Sequence, residues 1–534
     1  MRVNPLKKSP ELISYKLTNK LLRGRISLQI EPNTPCYSIR LILKQRENGK
    51  EINIVEFNDV VKRDFCFNFC MRLNEVEWQV HYYDFYIEFT VGEESSLYRL
   101  KVLKPKIKLR VHGFLSKPQV LINKKYHISP YITYHSNLSI LFKQKKSYES
   151  KKNKYKWIMA FIVFVILRPY LVNKKIWLGY EKNSNFAQDN GFSFFKYCYL
   201  NGLRKNYYYV IKKESPDIGI VKDYDDKVIY FMSFKFMLYF LSSSLLISSE
   251  SKAHIYDIRL NKGPIRFILN RKEHIFLQHG IIGLKQVHQI FNKMNKNSTN
   301  LFITSSRYEK DLIKKYFRYN ENEIVITGLS RWDNLKSKTT KNMKILIMPT
   351  WRSWLEDLSV EEFLNTEYFS LYHQLIIDIE SERILKNNDI EVVFFLHPKF
   401  TKYSSLFNGY RQIKIKNYEE NSVKDELEEA SLLITDYSSV AWDFFYLKKP
   451  IIFFQFDQKD YLTKQGSYLK LDKELFGDVV YNSNDVLTTM QSYRENNFQE
   501  KEKFSKMRTE FFEYIDQDNN SRIFLAIKDF LDKR

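Results

Sequence analysis

The chain has 534 residues, too many for one hydrophobic core, so two or three domains are expected. Its 44% hydrophobic and 16% aromatic content excludes a disordered chain. Eighty-five Lys and Arg against 62 Asp and Glu give a formal charge of +23, which favours an anionic partner, although an AT-rich genome's taste for Lys, Asn, Ile and Tyr accounts for part of the excess.

The first dozen residues contain no apolar stretch of signal-peptide type, so no secretory leader is expected. Residues 1–145 read as an all-β domain. Segments 37–45, 78–91, 96–104 and 107–115 are rich in β-branched and aromatic residues and are broken by Gly-, Asn- and Lys-rich turns, the pattern of a sandwich or small barrel. Cys36, Cys66, Cys70 and Cys198 lack zinc spacing and are expected as free buried thiols. No acid pair or nucleophile stands out here, so binding or scaffolding is expected of this domain.

Residues 146–175 form a basic and apolar linker. Lys143, Lys145, Lys146, Lys151, Lys152, Lys154 and Lys156 precede the apolar run 157–167, with only Glu149 opposing them. That run falls short of the roughly 20 residues of a spanning helix. The segment reads either as a lead into a buried helix or as a strip lying on an anionic membrane surface.

From about 176 the texture changes. Apolar runs at 174–180, 207–213, 274–280, 300–306, 323–328, 344–352, 391–399, 431–439 and 450–456 alternate with helical stretches, which marks parallel sheets covered on both faces. A polar, lysine-rich seam at 328–344 reads as a linker, dividing this region into 176–338 and 339–534. The Asp-Tyr-Asp-Asp of 223–226 is expected to be a turn rather than a metal site, and no metal-ligand set is expected. Walker, Gly-x-Gly-x-x-Gly and His-Glu-x-x-His patterns do not occur, against ATPase, dinucleotide and zinc-protease readings.

Ligands in open α/β sheets gather at the carboxyl ends of strands. Four apolar runs here end in polar groups: Gln278-His279-Gly280, Thr350-Trp351-Arg352, His397-Pro398-Lys399 and Thr435-Asp436-Tyr437-Ser438-Ser439. An imidazole at His279 suits a base for a hydroxyl proton, with Gly280 letting a ligand approach the backbone. Pro398 fixes the aim of His397, which suits a donor to phosphate. Ser438 and Ser439 open a helix over 440–447, so they read as N-caps, as diphosphate contacts, or as both. Arg352 suits bidentate phosphate pairing or a surface ion pair. Asp443 would repel phosphate and is expected to bond a hydroxyl or steady the helix start.

In this order the segments resemble the CDP-glycerol glycerophosphotransferase family of teichoic-acid primases and polymerases. The matching pieces are QHGIIGLKQ, ITSSRYEKDLI, VITGLSRWDNL, ILIMPTWR, LHPK and LITDYSSVAWDFFYLKKPIIFFQFDQKDY, over about 175–490. The resemblance implies a GT-B-like α/β architecture, two Rossmann-type domains with a cleft between them, behind the N-terminal β domain. It implies transfer of glycerol phosphate from CDP-glycerol to a hydroxyl of a lipid-linked polyol-phosphate acceptor, with release of CMP. The paired histidines fall on His279 and His397. Donor or phosphate contacts fall on Thr350, Arg352, Thr435, Ser438, Ser439 and Asp443. Acceptor-side or structural positions fall on Gln278, Gly280, Lys285, Arg331 and Asp333. Two departures stand out. Ile281-Ile282-Gly283-Leu284 replaces the family's small residue and Pro-Leu, and Ser330 replaces the Pro before Arg331. No cofactor is certain and a divalent cation is left open, while the resemblance implies a place on the cytoplasmic face of an anionic membrane. Alternatives are a CDP-ribitol donor, a nucleotide-sugar glycosyltransferase, an inert polysaccharide binder (opposed by the two histidines) and, on charge alone, a nucleic-acid binder. No nucleic acid is expected.

Overall fold

The computed structural model describes every residue except 1–5, 19, 33, 35–36, 47–48, 62–63, 93, 104–119, 123–124, 134–135, 147, 257–262, 339, 341, 357, 382–389, 418–420 and 534. The chain divides into two compact units, Met1–Tyr155 with Lys262–Phe267, and the remainder.

The first unit is a mostly antiparallel β region. A four-stranded sheet runs in the order Asp64–Arg72, Leu21–Gln29, Glu11–Leu17, Lys101–Val102. A seven-stranded sheet is built on Tyr37–Gln45, His81–Val91 and Leu138–Gln144. Alternation along each strand decides the layering. Leu22, Ile26 and Leu28 of one sheet and Ile39, Leu41, Phe85 and Ile87 of the other share one core, while Arg23 and Arg25 face out. The stretch 107–115 lies outside the described residues, as does Cys36. Cys66 and Cys70 are exposed, not buried as expected, because they occupy the outward positions of their strand; Cys198 is buried.

Lys151–Asn173 forms one helix of 23 residues. The expectation of too short an apolar segment is corrected. Helical structure continues through Pro169, and Tyr155–Asn173 is long and apolar enough to cross a membrane. Ile158, Phe161, Ile162, Val165 and Ile166 are exposed on it.

The second unit holds two all-parallel sheets. The first has seven strands in the order Val228–Tyr230, Tyr207–Ile211, Trp177–Tyr180, Leu245–Ser248, Glu273–Phe276, Leu301–Thr304, Ile324–Ile326. The second has six: Ile413–Asn417, Ile390–Leu396, Met343–Ile347, Leu432–Thr435, Ile451–Phe454, Asp478–Val480. Both start in the middle and reverse direction once, the doubly wound pattern. Their strands are buried throughout at the centre, which is why they read as unbroken apolar runs. Asp223–Asp226 lies in short turns before Val228–Tyr230, and no cluster with metal-ligand character occurs among the described residues.

Two expectations about the division are revised. Residues 328–344 do not form a passive linker. Ser330–Asn334 is a 3-10 turn, and Trp332 is fully buried in the core of the second sheet, stacked on Tyr446 at 4.4 Å. The last helix, Asn519–Asp532, does not stay with residues 339–518. Its Ile523 and Ile527 join the core of the first sheet with Trp177 and Phe195. Asp333 sets that return, accepting from the backbone N–H groups of Asn519 and Asn520 at 2.9 and 2.7 Å and from both side-chain amides.

Candidate active site

The strand Glu273–Phe276 leads through Leu277 to Gln278, whose φ of +61° is a left-handed conformation unfavourable for a residue with a Cβ. Surrounding bonds hold it there. The Asn190 amide donates to the Gln278 carbonyl at 2.8 Å, and Gln278 Nε2 donates to the Ile303 carbonyl at 2.5 Å. Gln278 is therefore a buried shaping residue, and the turn it makes leaves His279 exposed at the strand end.

After His279 the chain crosses to the second sheet. A Cβ on Gly280 would stand 3.1 Å from the Ser439 Cβ, and one on Gly283 2.7 Å from Trp442. Ile281 and Leu284 enter the core of the second sheet. Gly283 accepts backbone N–H from Tyr468 at 2.9 Å, and Tyr461 Oη donates to the Leu284 carbonyl at 3.2 Å. These apolar anchors explain why isoleucine and leucine serve in this loop. Lys285 then places its ammonium 5.1 Å from the Trp351 ring centre. Trp351 stacks on His397 at 5.6 Å. The loop of His279 thus touches both the Ser439 helix and, through Lys285 and Trp351, the neighbourhood of His397.

His397 caps the 3-10 turn Pro398–Phe407, its Nδ1 accepting from the Lys399 N–H at 3.2 Å. Partial burial, with Lys182, Lys285 and Lys399 nearby, pushes its pKa down to about 3, so the imidazole is neutral.

Several expected phosphate contacts are instead fully occupied by the protein. Arg352 is buried at 1% exposure, neither a surface pair nor open to a ligand. Its Nε and Nη2 donate to Asp457 at 2.7 and 3.0 Å, Nη2 pairs with Asp436 at 2.9 Å, and Nη1 donates to the Thr350 carbonyl. Thr435 Oγ1 donates to the Met348 carbonyl at 2.7 Å. Asp443 accepts from Arg331 and, at 2.7 Å, from the Trp332 indole N–H, rather than from a hydroxyl. Thr350 is half-buried, its N–H donating to Asp436 Oδ1 at 2.9 Å. Ser438 Oγ accepts from the Val440 N–H at 3.4 Å, whereas the exposed Ser439, at the start of Val440–Tyr446, makes no side-chain cap bond. Of the expected donor-side group, Ser438 and Ser439 stay accessible, whereas the Thr350 hydroxyl is buried.

Arg331 joins the parts. Nη1 donates to Asp189 at 2.9 Å and to the His279 carbonyl at 3.1 Å, and Nη2 pairs with Asp443 at 2.9 Å. The carboxylates hold it more firmly protonated than usual against the cost of burial. Sequence reasoning passed over the first-sheet residues at the switch between Trp177–Tyr180 and Leu245–Ser248. There Glu181 is buried and accepts from the N–H groups of Gln188, Asp189 and Phe192, and Lys182, Asn183, Glu250 and His254 line the edge. Their common signal is position just after an apolar run.

Two doubly wound sheets, with polar loops joined across their carboxyl edges, define an α/β protein with a candidate ligand site at those edges. The chain belongs to the CDP-Glycerol:Poly(glycerophosphate) glycerophosphotransferase family, whose model matches residues 158–529. It is 31% identical to the minor teichoic acid biosynthesis protein GgaB of Bacillus subtilis (strain 168), over 84% of this chain and 51% of that protein. It is 24% identical to the teichoic acid ribitol-phosphate polymerase TarK of Staphylococcus aureus over 43% of this chain and 46% of that protein. The chain spans about half the length of these curated relatives. Its fold is similar to that of the wall teichoic acid polymerase TagF, at a TM-score of 0.50 and 18% identity, over 72% of this chain and 99% of that one.

Proposed function

We propose that this chain transfers glycerol phosphate from CDP-glycerol to a hydroxyl of a lipid-linked polyol phosphate and releases CMP. The observation that carries the reading is the crossing of the His279 loop from the first sheet to Ser439 and, through Lys285 and Trp351, to His397. In the reading, a GT-B-like cleft holds the donor between the two sheets. His279 takes the proton of the acceptor hydroxyl. The freed oxygen attacks the phosphorus that bears glycerol, the bond from that phosphorus to the bridging oxygen breaks, and CMP leaves with the bonding pair. His397 donates a hydrogen bond to the diphosphate, Ser438 and Ser439 offer hydroxyls, and Lys182, Lys285 and Lys399 supply positive charge. Such chemistry is mostly positioning plus electrostatics.

A ribitol donor is the second reading, favoured by the likeness to ribitol-phosphate polymerases. The exposed apolar face of Lys151–Asn173 and the lysines before it support association with an anionic membrane on the cytoplasmic side. The test is a donor screen with a lipid-linked acceptor. CMP release from CDP-glycerol, lost in His279→Ala, is expected. CMP from CDP-ribitol alone would move the donor to the second reading, and full activity of His279→Ala would remove His279 as the base.

A further inference from the structure

We propose that Trp351 is a positioning residue that fixes the His397 ring, with its Nε2–H aimed for donation, and arranges the lysines around it. The inference deepens the proposed function, in that this imidazole then gives the diphosphate one directed N–H bond while the neighbouring ammonium groups supply the charge.

Three contacts meet on one indole. Its ring stacks on the His397 imidazole at 5.6 Å with an interplanar angle of 27°. The Lys285 and Lys399 ammoniums lie 5.1 and 5.8 Å from its centre. Lys285 arrives from the His279 loop and Lys399 from the turn after His397, so the tryptophan gathers cations from two separate segments. An electron-rich indole face attracts them.

The tautomer follows from a hydrogen bond. The Lys399 backbone N–H donates to Nδ1 at 3.2 Å. An accepting Nδ1 carries its lone pair, so the ring proton sits on Nε2. Charged groups near the imidazole among the described residues include Lys182 from the first sheet's edge, Lys285 and Lys399, with Glu356 paired to Lys399. Three ammoniums and partial burial all oppose a second ring proton, in keeping with the depressed pKa. An imidazolium would crowd a fourth cation into the same corner.

The test uses the full chain with 15N-labelled histidine, His397→Gln identifying the resonance. Wild type is expected to show the Nε2–H tautomer, with no protonation from pH 8 down to about 5. Trp351→Ala is expected to raise the midpoint by about one unit or more and to lower kcat roughly 10- to 100-fold, with KM for CDP-glycerol nearly unchanged. Trp351→Phe, which keeps a flat ring, is expected to restore both. A wild-type imidazole titrating near 6.5, an Nδ1–H tautomer, or an unchanged titration in folded Trp351→Ala would each overturn the inference. The spectra require no donor, so a failed transfer assay with these spectra intact would count against the donor reading alone.

Discussion

Arg331 donates to the carbonyl oxygen of His279 at 3.1 Å while its opposite edge pairs with Asp443. An arginine between the two sheets thereby fixes the backbone of the candidate base against a helix of the second sheet. Arg331→Ala leaves Asp189 and Asp443 without their partner. We expect a loss of about 3 kcal/mol in unfolding free energy, measured by denaturant titration, because a stranded buried carboxylate costs more than the pair contributes. Arg331→Lys keeps the charge but loses the fork, and transfer is expected to fall about 10-fold or more with the fold intact.

Arg352 separates a scaffolding role from a ligand role. With its donors on Asp436, Asp457 and Thr350, Arg352→Ala is expected to cost about 3–5 kcal/mol of stability. A folded, equally stable variant with only a raised KM for the donor would return Arg352 to phosphate binding.

Gly280 and Ser439 set the approach of the two sheets' loops. A methyl at Gly280 forces the neighbour to give by a few tenths of an ångström. Gly280→Ala is expected to lower kcat about 10-fold with a small stability change, and Ser439→Gly in the same chain is expected to recover part of it. Equal activity of the single variant and wild type would show that the approach is looser.

Glu181 gives a pH dependence of stability. Burial and the Asp189 carboxylate raise its pKa, against three N–H bonds that lower it. The folded chain then keeps a proton that an unfolded glutamate, near 4.3, loses. Its stability contribution is full below that value and declines as pH rises toward the folded pKa. Glu181→Gln is expected to flatten the fall in melting temperature above about pH 4.3; an unchanged slope would show that Glu181 is ionised when folded.

The helix Lys151–Asn173 is expected to bind vesicles containing anionic lipid. Ile162→Asp with Ile166→Asp, one turn apart on the exposed face, is expected to abolish co-sedimentation, and high salt to weaken it for wild type. Salt-insensitive binding of the double variant would place the contact elsewhere.

The sequence alone determined what depends on local pattern. Runs such as residues 432–434 and Ile451–Phe454 are apolar at every position because parallel strands are buried on both faces, and polar residues after them mark strand ends. His279 and His397 stand at such strand ends. The 328–344 seam was misread because a polar stretch looks the same whether solvated or, like Arg331 and Asp333, paired to distant residues. Tertiary structure alone decided which polar side chains remain open to a ligand. Arg352 and Asp443 have the chemistry of ligand contacts, but partners far along the chain use up their hydrogen-bonding capacity. Likewise Trp351, unremarkable in sequence, becomes the meeting point of His397 and Lys285 only when the two sheets bring their edges together. Hydrogen-bond partnership across long chain separations leaves no periodic trace, whereas burial of a strand does.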